Sequence, residues 1–388
     1  MIDRELAPII LSLSRQLPVT VITGPRQSGK TTLVKALFNS YDYANMEFPD
    51  TRARAVEDPR LFLTSHPHGL IIDEAQRVPE LFSYIQGLVD ESRKLGCYTL
   101  TGSQNFQLIE KISQSLAGRA AVFHLLPFSI GEIASGFAIS KSFTSLAFRG
   151  TYPRIYDQEL QPVDWYPSYI SSYIERDVRQ IENIKDLHKF QIFLKLCAGR
   201  VGQIFNATAM GNEVGVDHKT IQAWMSVLEA SFILFFVPPY HHSFNKRLIK
   251  SPKIYFYDPG LICSLLGIRS ADELETHPLR GEIFESLIIS ELRKHINNTG
   301  NHGALYFWRD LTGHEIDCII ESGSKTIAIE IKSSTSINPS FFKGLRYFQN
   351  LSGLPPKYST LIYGGFESQD WPSARVLGWQ KTGSVFLD

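Results

Sequence analysis

Residues Gly24-Pro25-Arg26-Gln27-Ser28-Gly29-Lys30-Thr31 carry the spacing G-x-x-x-x-G-K-[ST]. That spacing suits the holding of phosphates. Glycines let successive backbone N–H groups close around an anion, and a helix N-terminus behind them favours negative charge. Lys30 is placed to reach the β- and γ-phosphates of ATP and Thr31 to ligate Mg²⁺, with Thr32 beside them among the nucleotide-binding residues. The alternative is a chance glycine turn. Context argues against it, because Val19-Thr20-Val21-Ile22-Thr23 reads as a buried strand before the loop and residues 31–38 read as a helix after it.

Leu70-Ile71-Ile72 reads as a second buried strand and ends in Asp73-Glu74. Asp73 is placed to hold Mg²⁺ through water, and Glu74 to orient or deprotonate an attacking water. Acidic pairs also end strands simply because solvent is there, so this pair takes its meaning from the loop. A third strand, Tyr98-Thr99-Leu100-Thr101, runs into Gly102-Ser103-Gln104. Ser103 is a candidate sensor of the γ-phosphate or of the attacking water, and equally a candidate helix cap. Arg119, in Leu116-Ala117-Gly118-Arg119, has the chemistry to stabilise charge on a transferred phosphoryl group, in cis or from a neighbouring subunit. Its plain alternative is a surface arginine at a helix end.

These groups need a scaffold. Short apolar strands alternate with helical stretches such as 79–94, which predicts an α/β fold over residues 1–140, a parallel sheet with helices on its faces. A Ser- and Gly-containing stretch, 136–145, predicts a boundary. Residues 145–270 read as mostly helical. Within them 207–214, the link Gly215-Val216-Asp217 and 218–228 read as helix-turn-helix, with Asp217 capping the second helix. An apolar strand over 232–237, a basic segment with His241, His242, Lys246, Arg247 and Lys250, and a strand over 253–257 complete a winged-helix pattern. DNA contact is then expected through Lys219, Thr220 and Gln222 at the groove and the basic segment on phosphate. The alternative is a winged helix used only for packing.

Residues 278–388 predict a second α/β unit, with a helix over 281–295 and strands over 304–308, 316–320, 327–331 and 360–363. Asp317, Glu330 and Lys332 stand on a predicted hairpin, the last two on one strand face. Glu285 stands on the leading helix, with Glu282 one turn away as its substitute. Such carboxylates can share a second Mg²⁺ or Mn²⁺ while Lys332 positions a water or steadies a leaving charge. The arrangement resembles the PD-(D/E)xK nuclease fold, a restriction-endonuclease-like α/β domain. A charged hairpin edge, or a nuclease-like fold that binds without cutting, are the alternatives.

Further segments join the phosphate loop in one pattern: Ile71-Ile72-Asp73-Glu74-Ala75-Gln76, Leu100-Thr101-Gly102-Ser103, Leu116-Ala117-Gly118-Arg119 and Leu126-Pro127-Phe128-Ser129-Ile130-Gly131-Glu132. Together they resemble a family of prokaryotic AAA+-type ATPases that carry a C-terminal domain of unassigned function. Arg149-Gly150-Thr151-Tyr152-Pro153, Glu175-Arg176-Asp177 and Asp258-Pro259-Gly260-Leu261 continue the resemblance. It implies Asp73 as the metal residue, Glu74 as the base, Ser103 as a sensor and Arg119 as the arginine finger. For a second sensor arginine it leaves Arg149, Arg154 and Arg176.

Composition narrows the rest. Across 388 residues, 39 basic residues balance 39 acidic ones, so net charge alone does not point to nucleic acid. Cys97, Cys197, Cys263 and Cys318 lie far apart with no CxxC pair, the pattern of scattered thiols in a reducing compartment. No stretch approaches the ~20 apolar residues that cross a bilayer, and no signal peptide is expected. The expectation is a cytoplasmic ATPase with no membrane partner, assembled as a homo-oligomer such as a ring and acting on DNA. Two rivals stand beside it: an ATP-switched regulator whose last domain is a binding module, and an ATP-licensed metal-dependent nuclease.

Overall fold

A computed structural model describes residues 2–103, 114–174, 186–240, 250–301, 303–323 and 325–386. They fall into two compact units, one of residues 1–127 with 230–232, the other of 128–229 and 233–388. Gln104, the segment Glu175-Arg176-Asp177, His241, His242, Lys246 and Arg247 lie outside the described residues.

The first unit is built on a five-stranded sheet. Its strands are β1 (Val19–Thr23), β2 (Asp42–Asn45), β3 (Leu70–Asp73), β4 (Tyr98–Gly102) and β5 (Ala120–His124). The spatial order is β2-β3-β4-β1-β5, and every pairing is parallel. All five residues of β1 are buried, as a central strand covered on both faces requires. Side chains alternate along it. Val19 and Val21 join the apolar layer under Leu81, Phe82 and Ile85, while Ile22 joins Leu6, Ile10, Leu33 and Val34 on the other face. Thr23 is level with Gly102 and with His124, so the phosphate loop, Ser103 and Asp73 all leave the sheet at the carboxyl ends of their strands. That edge is where open parallel sheets bind ligands. The sequence pattern gave no sign of β2 and β5.

The second unit carries a run of helices and a six-stranded sheet. Helices Ala207–Val214 and His218–Ala230 are joined through Gly215, whose φ is 74°, and Asp217 Oδ1 accepts the N–H groups of Lys219 and Thr220. Strands β6 (Leu234–Val237) and β7 (Lys253–Phe256) pair antiparallel after them. The larger sheet has β8 (Ala304–Arg309), β9 (Glu315–Ser322), β10 (Lys325–Lys332), β11 (Ser359–Tyr363), β12 (Gln369–Trp371) and β13 (Ala374–Gly378), in the order β12-β13-β11-β10-β9-β8. β8, β9 and β10 run antiparallel, and β11 runs parallel to β10 and β13. Trp308, Ile316, Ile319, Leu345, Phe348 and Leu361 lie in one apolar layer of this sheet with helix Lys343–Ser352.

In packing, the stretches 145–270 and 278–388 share one unit, which begins at Phe128. The long helix Arg280–Thr299 explains this. It buries polar as well as apolar residues. Glu291 accepts the Ile130 N–H, and Lys294 donates to the Phe128 carbonyl at 2.9 Å and to Thr151 Oγ1 at 3.1 Å. Two of the family-like segments also meet here. Asp258 accepts from Thr151 N, Thr151 Oγ1, Tyr166 OH and Leu261 N. A Cβ on Gly150, where φ is 75°, would lie 1.7 Å from Tyr166 OH, so only glycine fits. These segments serve packing around a buried carboxylate.

Among the described residues no helix is long and apolar enough to cross a membrane.

Candidate functional site

The phosphate loop leaves β1 with Gly24 at φ 145°, and a Cβ there would stand 2.2 Å from the Leu125 carbonyl oxygen. Gly29 is left-handed and begins helix Lys30–Leu37. Lys30 is buried, and its Nζ donates to the carbonyls of Gly24 at 3.0 Å and Pro25 at 2.8 Å. Burial lowers its pKa to about 8 against the pull of Glu74 and Asp73, with Arg26 lowering it further. Ser28 Oγ is buried with no hydrogen-bond partner among the described residues. Asp73 is buried too and collects hydroxyls. Oδ2 accepts from Thr31 Oγ1 at 2.8 Å and from Tyr43 OH at 2.6 Å, while Oδ1 accepts from Thr101 Oγ1. Glu74 sits in the left-handed region at φ 54°, and its Oε2 accepts from Ser103 Oγ at 3.1 Å and from Gln76 Nε2. The sheet edge therefore brings Lys30, Thr31, Asp73, Glu74 and Ser103 together. Ser103 reaches the carboxylate of Glu74, a use distinct from a simple cap.

Arg119 is elsewhere. Its carbonyl accepts from Val19 N, which puts it at the amino end of β1 and β5, one strand length from the loop. Its guanidinium forks onto Asp90, Nε to Oδ1 at 2.6 Å and Nη2 to Oδ2 at 2.8 Å. It does not reach the phosphate loop of its own chain. Arg149 lies 4.2 Å over the Tyr156 ring and Arg154 donates to Gln158, so each has a structural use.

The C-terminal carboxylates line a second cleft of about 670 Å³, shared with Gly202, Gln203, Lys253 and Arg309. Lys332 Nζ is 2.6 Å from Glu330 Oε1 and 3.6 Å from Asp317 Oδ2, and that oxygen also accepts the Ile331 N–H at 2.7 Å. Burial, with Asp317 adding to it, pushes the Glu330 carboxyl up to about 8. Glu285 does not join them as a ligand. It accepts from Tyr255 OH at 2.5 Å and from the buried Lys253 Nζ at 3.1 Å. The same ammonium lies 2.5 Å from Glu315. Burial works to lower the Lys253 pKa, but Glu285 and Glu315 outweigh it and hold it above the ordinary lysine range. Among the described residues no three His, Cys, Asp or Glu side chains converge to hold a metal. Glu285, Asp317 and Glu330, expected to share a metal, line this cleft without forming such a group among the described residues. The carboxylates are paired with lysines, and Asp317 also accepts a backbone N–H.

Residues 16–134 match the family described as AAA domain. They form an AAA-type P-loop ATPase domain. Residues 140–272 and 280–381 match two families described only as domains of unknown function, DUF8612 and DUF4143. Proteins of Mycobacterium tuberculosis and Mycobacterium bovis, both described as uncharacterized, are 28% identical over 346 residues, covering 88% of this chain and 76% of theirs. Among solved structures, a Walker-type ATPase of Pyrococcus abyssi is 14% identical with a TM-score of 0.44, over 68% of this chain and 96% of that one. The Thermotoga maritima RuvB Holliday junction branch migration motor is 16% identical with a TM-score of 0.28, over 61% and 90%.

The ATPase domain also uses residues that spacing did not reveal. Arg4, buried, donates from Nη1 to the Ser28 carbonyl at 2.8 Å and from Nη2 to the Leu126 carbonyl at 2.6 Å, bracing the loop from outside the motif. Tyr43 and Thr101 hold Asp73, and Gln76 holds Glu74. Only Gln76 carried a signal, being two residues past Glu74. Tyr43 comes from a strand too short and polar to be seen.

Proposed function

We propose that the chain hydrolyses ATP with Mg²⁺ to do work on DNA. The observation that carries the proposal is the convergence of Lys30, Thr31, Asp73, Glu74 and Ser103 on one sheet edge. A nucleotide fits there: the loop is a glycine cradle, the Ser28 hydroxyl has no protein partner among the described residues, and Thr31 and Asp73 face one point. When bound, Mg²⁺ supplies neutralisation of the phosphate charge. This chain's own residues do the remainder. Lys30 exchanges the loop carbonyls for phosphate oxygens. Glu74 holds the attacking water and receives its proton at the carboxylate, and Ser103 with Gln76 sets that carboxylate's direction. Arg119, half-buried at the far end of the sheet, acts from a neighbouring copy of a homo-oligomer.

DNA is the partner that the second unit's pattern favours. Lys219 and Gln222 are exposed on helix His218–Ala230, opposite the buried Ile221, Trp224 and Leu228, as a recognition helix requires. With β6 and β7 behind it, the segment reads as a winged helix. The succession of helix, three antiparallel strands, helix and a parallel strand supports reading the C-terminal part as restriction-endonuclease-like. Its cleft serves binding in this proposal, since the metal set is not assembled.

The test is ATP turnover of the full chain with and without duplex and single-stranded DNA. DNA should raise turnover, and its binding should weaken steeply with salt. Turnover indifferent to every DNA form, with no salt-dependent binding, favours the ATP-switched regulator instead.

A further inference from the structure

The metal expected in the C-terminal cleft does not fit the residues there, and the misfit has a specific cause. Lys253 lies on β7, which pairs with β6 and is no part of the six-stranded sheet. Its side chain nevertheless enters the cleft beside that sheet and is 5% exposed. Its ammonium is held by Glu285 Oε1 at 3.1 Å and Glu315 Oε1 at 2.5 Å. Glu285 is tied further by Tyr255 OH, and Arg309 Nη1 approaches Glu315 Oε2 at 3.5 Å.

The charges explain why a cation sits there. Glu282, Glu285, Glu315, Asp317 and Glu330 line the cleft against Lys253, Arg309 and Lys332. Carboxylates taken out of water need a counter-charge, and a buried ion pair is broken only at high cost. Glu330 Oε2 is buried and has no hydrogen-bond partner among the described residues.

We propose that the Lys253 ammonium is a built-in cation, held by Glu285 and Glu315 in place of a divalent ion and keeping the cleft from binding one. The proposal rests on the nuclease-like reading of the C-terminal part. It makes the cleft a metal site closed from within by a neighbouring strand. Removing the lysine charge uncovers a site for a divalent ion among Glu285, Asp317 and Glu330.

The test titrates Mn²⁺ into the nucleotide-free full chain and counts bound ion by electron paramagnetic resonance and calorimetry. Wild type should show no site that depends on Asp317. Lys253→Met should gain one, at least about tenfold tighter than any wild-type site, because a like charge at contact distance has been removed. Adding Asp317→Asn to Lys253→Met should abolish the gain. A wild-type Mn²⁺ site that is lost in Asp317→Asn overturns the inference and leaves the nuclease-like reading standing. A folded Lys253→Met with no new site also overturns it. In that case DNA binding decides the reading separately: salt-dependent binding weakened by Lys332→Ala keeps it, and binding indifferent to that change removes it. Should Lys253→Met not fold, Glu315→Gln loosens the lysine without removing it, and a folded Glu315→Gln with unchanged Mn²⁺ uptake overturns the inference.

Discussion

Tyr43→Phe isolates one hydroxyl in the ATPase site. Tyr43 OH donates to Asp73 Oδ2 at 2.6 Å, the same oxygen that accepts from Thr31 Oγ1 at 2.8 Å. A metal bound by way of Thr31 and Asp73 must compete with that donor. The ring itself is kept in the variant, and with it the ammonium of Lys35 3.6 Å over the ring centroid. A hydrogen bond to a charged acceptor is worth about 1.5–3 kcal/mol when dry. Tyr43 is 36% exposed, so water recovers part of this and leaves about 1 kcal/mol. One kcal/mol is about a fivefold change in an equilibrium constant. The Mg²⁺ concentration for half-maximal ATP turnover should therefore fall about fivefold in Tyr43→Phe, while nucleotide affinity without metal stays the same. A Mg²⁺ titration of steady-state hydrolysis reads this directly. An unchanged or higher half-saturation point would refute the competition and leave Tyr43 as a packing residue.

Three other outcomes follow from the geometry. Glu74→Gln should keep ATP binding and lose hydrolysis by about 100-fold or more, because the amide keeps the bonds to Ser103 and Gln76 but accepts no proton; single-turnover kinetics beside a binding assay checks it. Lys30, with its pKa lowered to about 8 in the free loop, regains an ordinary value when phosphates face it, so ATP affinity should be full below about pH 8 and fall as pH rises through it. The fall should be no steeper than about tenfold per pH unit for a single proton, and Lys30→Arg should flatten the profile. Asp258→Ala strands four buried donors, those of Thr151 N, Thr151 Oγ1, Tyr166 OH and Leu261 N, and should destabilise the second unit by about 3–5 kcal/mol in denaturant unfolding.

What was legible in the sequence is what depends on type and local spacing. The phosphate loop needs glycine where a Cβ would strike Leu125, a lysine, and a hydroxyl at the helix start, and all of these sit within eight residues. The acidic pair and Ser103 follow because strands rich in Val, Ile and Leu announce themselves and end at one edge. β2 was missed because Asp42–Asn45 is an edge strand with half its residues exposed, so it has no apolar run to read. Arg4 was missed because its partners Ser28 and Leu126 lie 24 and 122 residues away. Arg119 has the type, and the place after a helix, that suggest a catalytic part. The register Val19 to Ala120 puts it at the wrong end of the strand for its own loop.

The C-terminal cleft shows the limit most sharply. Glu285, Asp317, Glu330 and Lys332 have the residue types and order of a metal-dependent nuclease, and the fold places all four around one cleft. Carboxylates so arranged demand a cation, but their sequence does not say which. Here Lys253, from a strand outside the sheet, supplies one, at contact distance to Glu285 and to the neighbouring Glu315. A lysine in Lys253-Ile254-Tyr255-Phe256 reads as a surface residue at a strand start, because nothing local explains burying it. Its burial follows only from the charges it meets, which lie between 32 and 62 residues further along the chain. Residue types that favour metal chemistry therefore leave the choice between a metal and an internal ammonium to tertiary structure, and that choice separates a cutting site from a closed one.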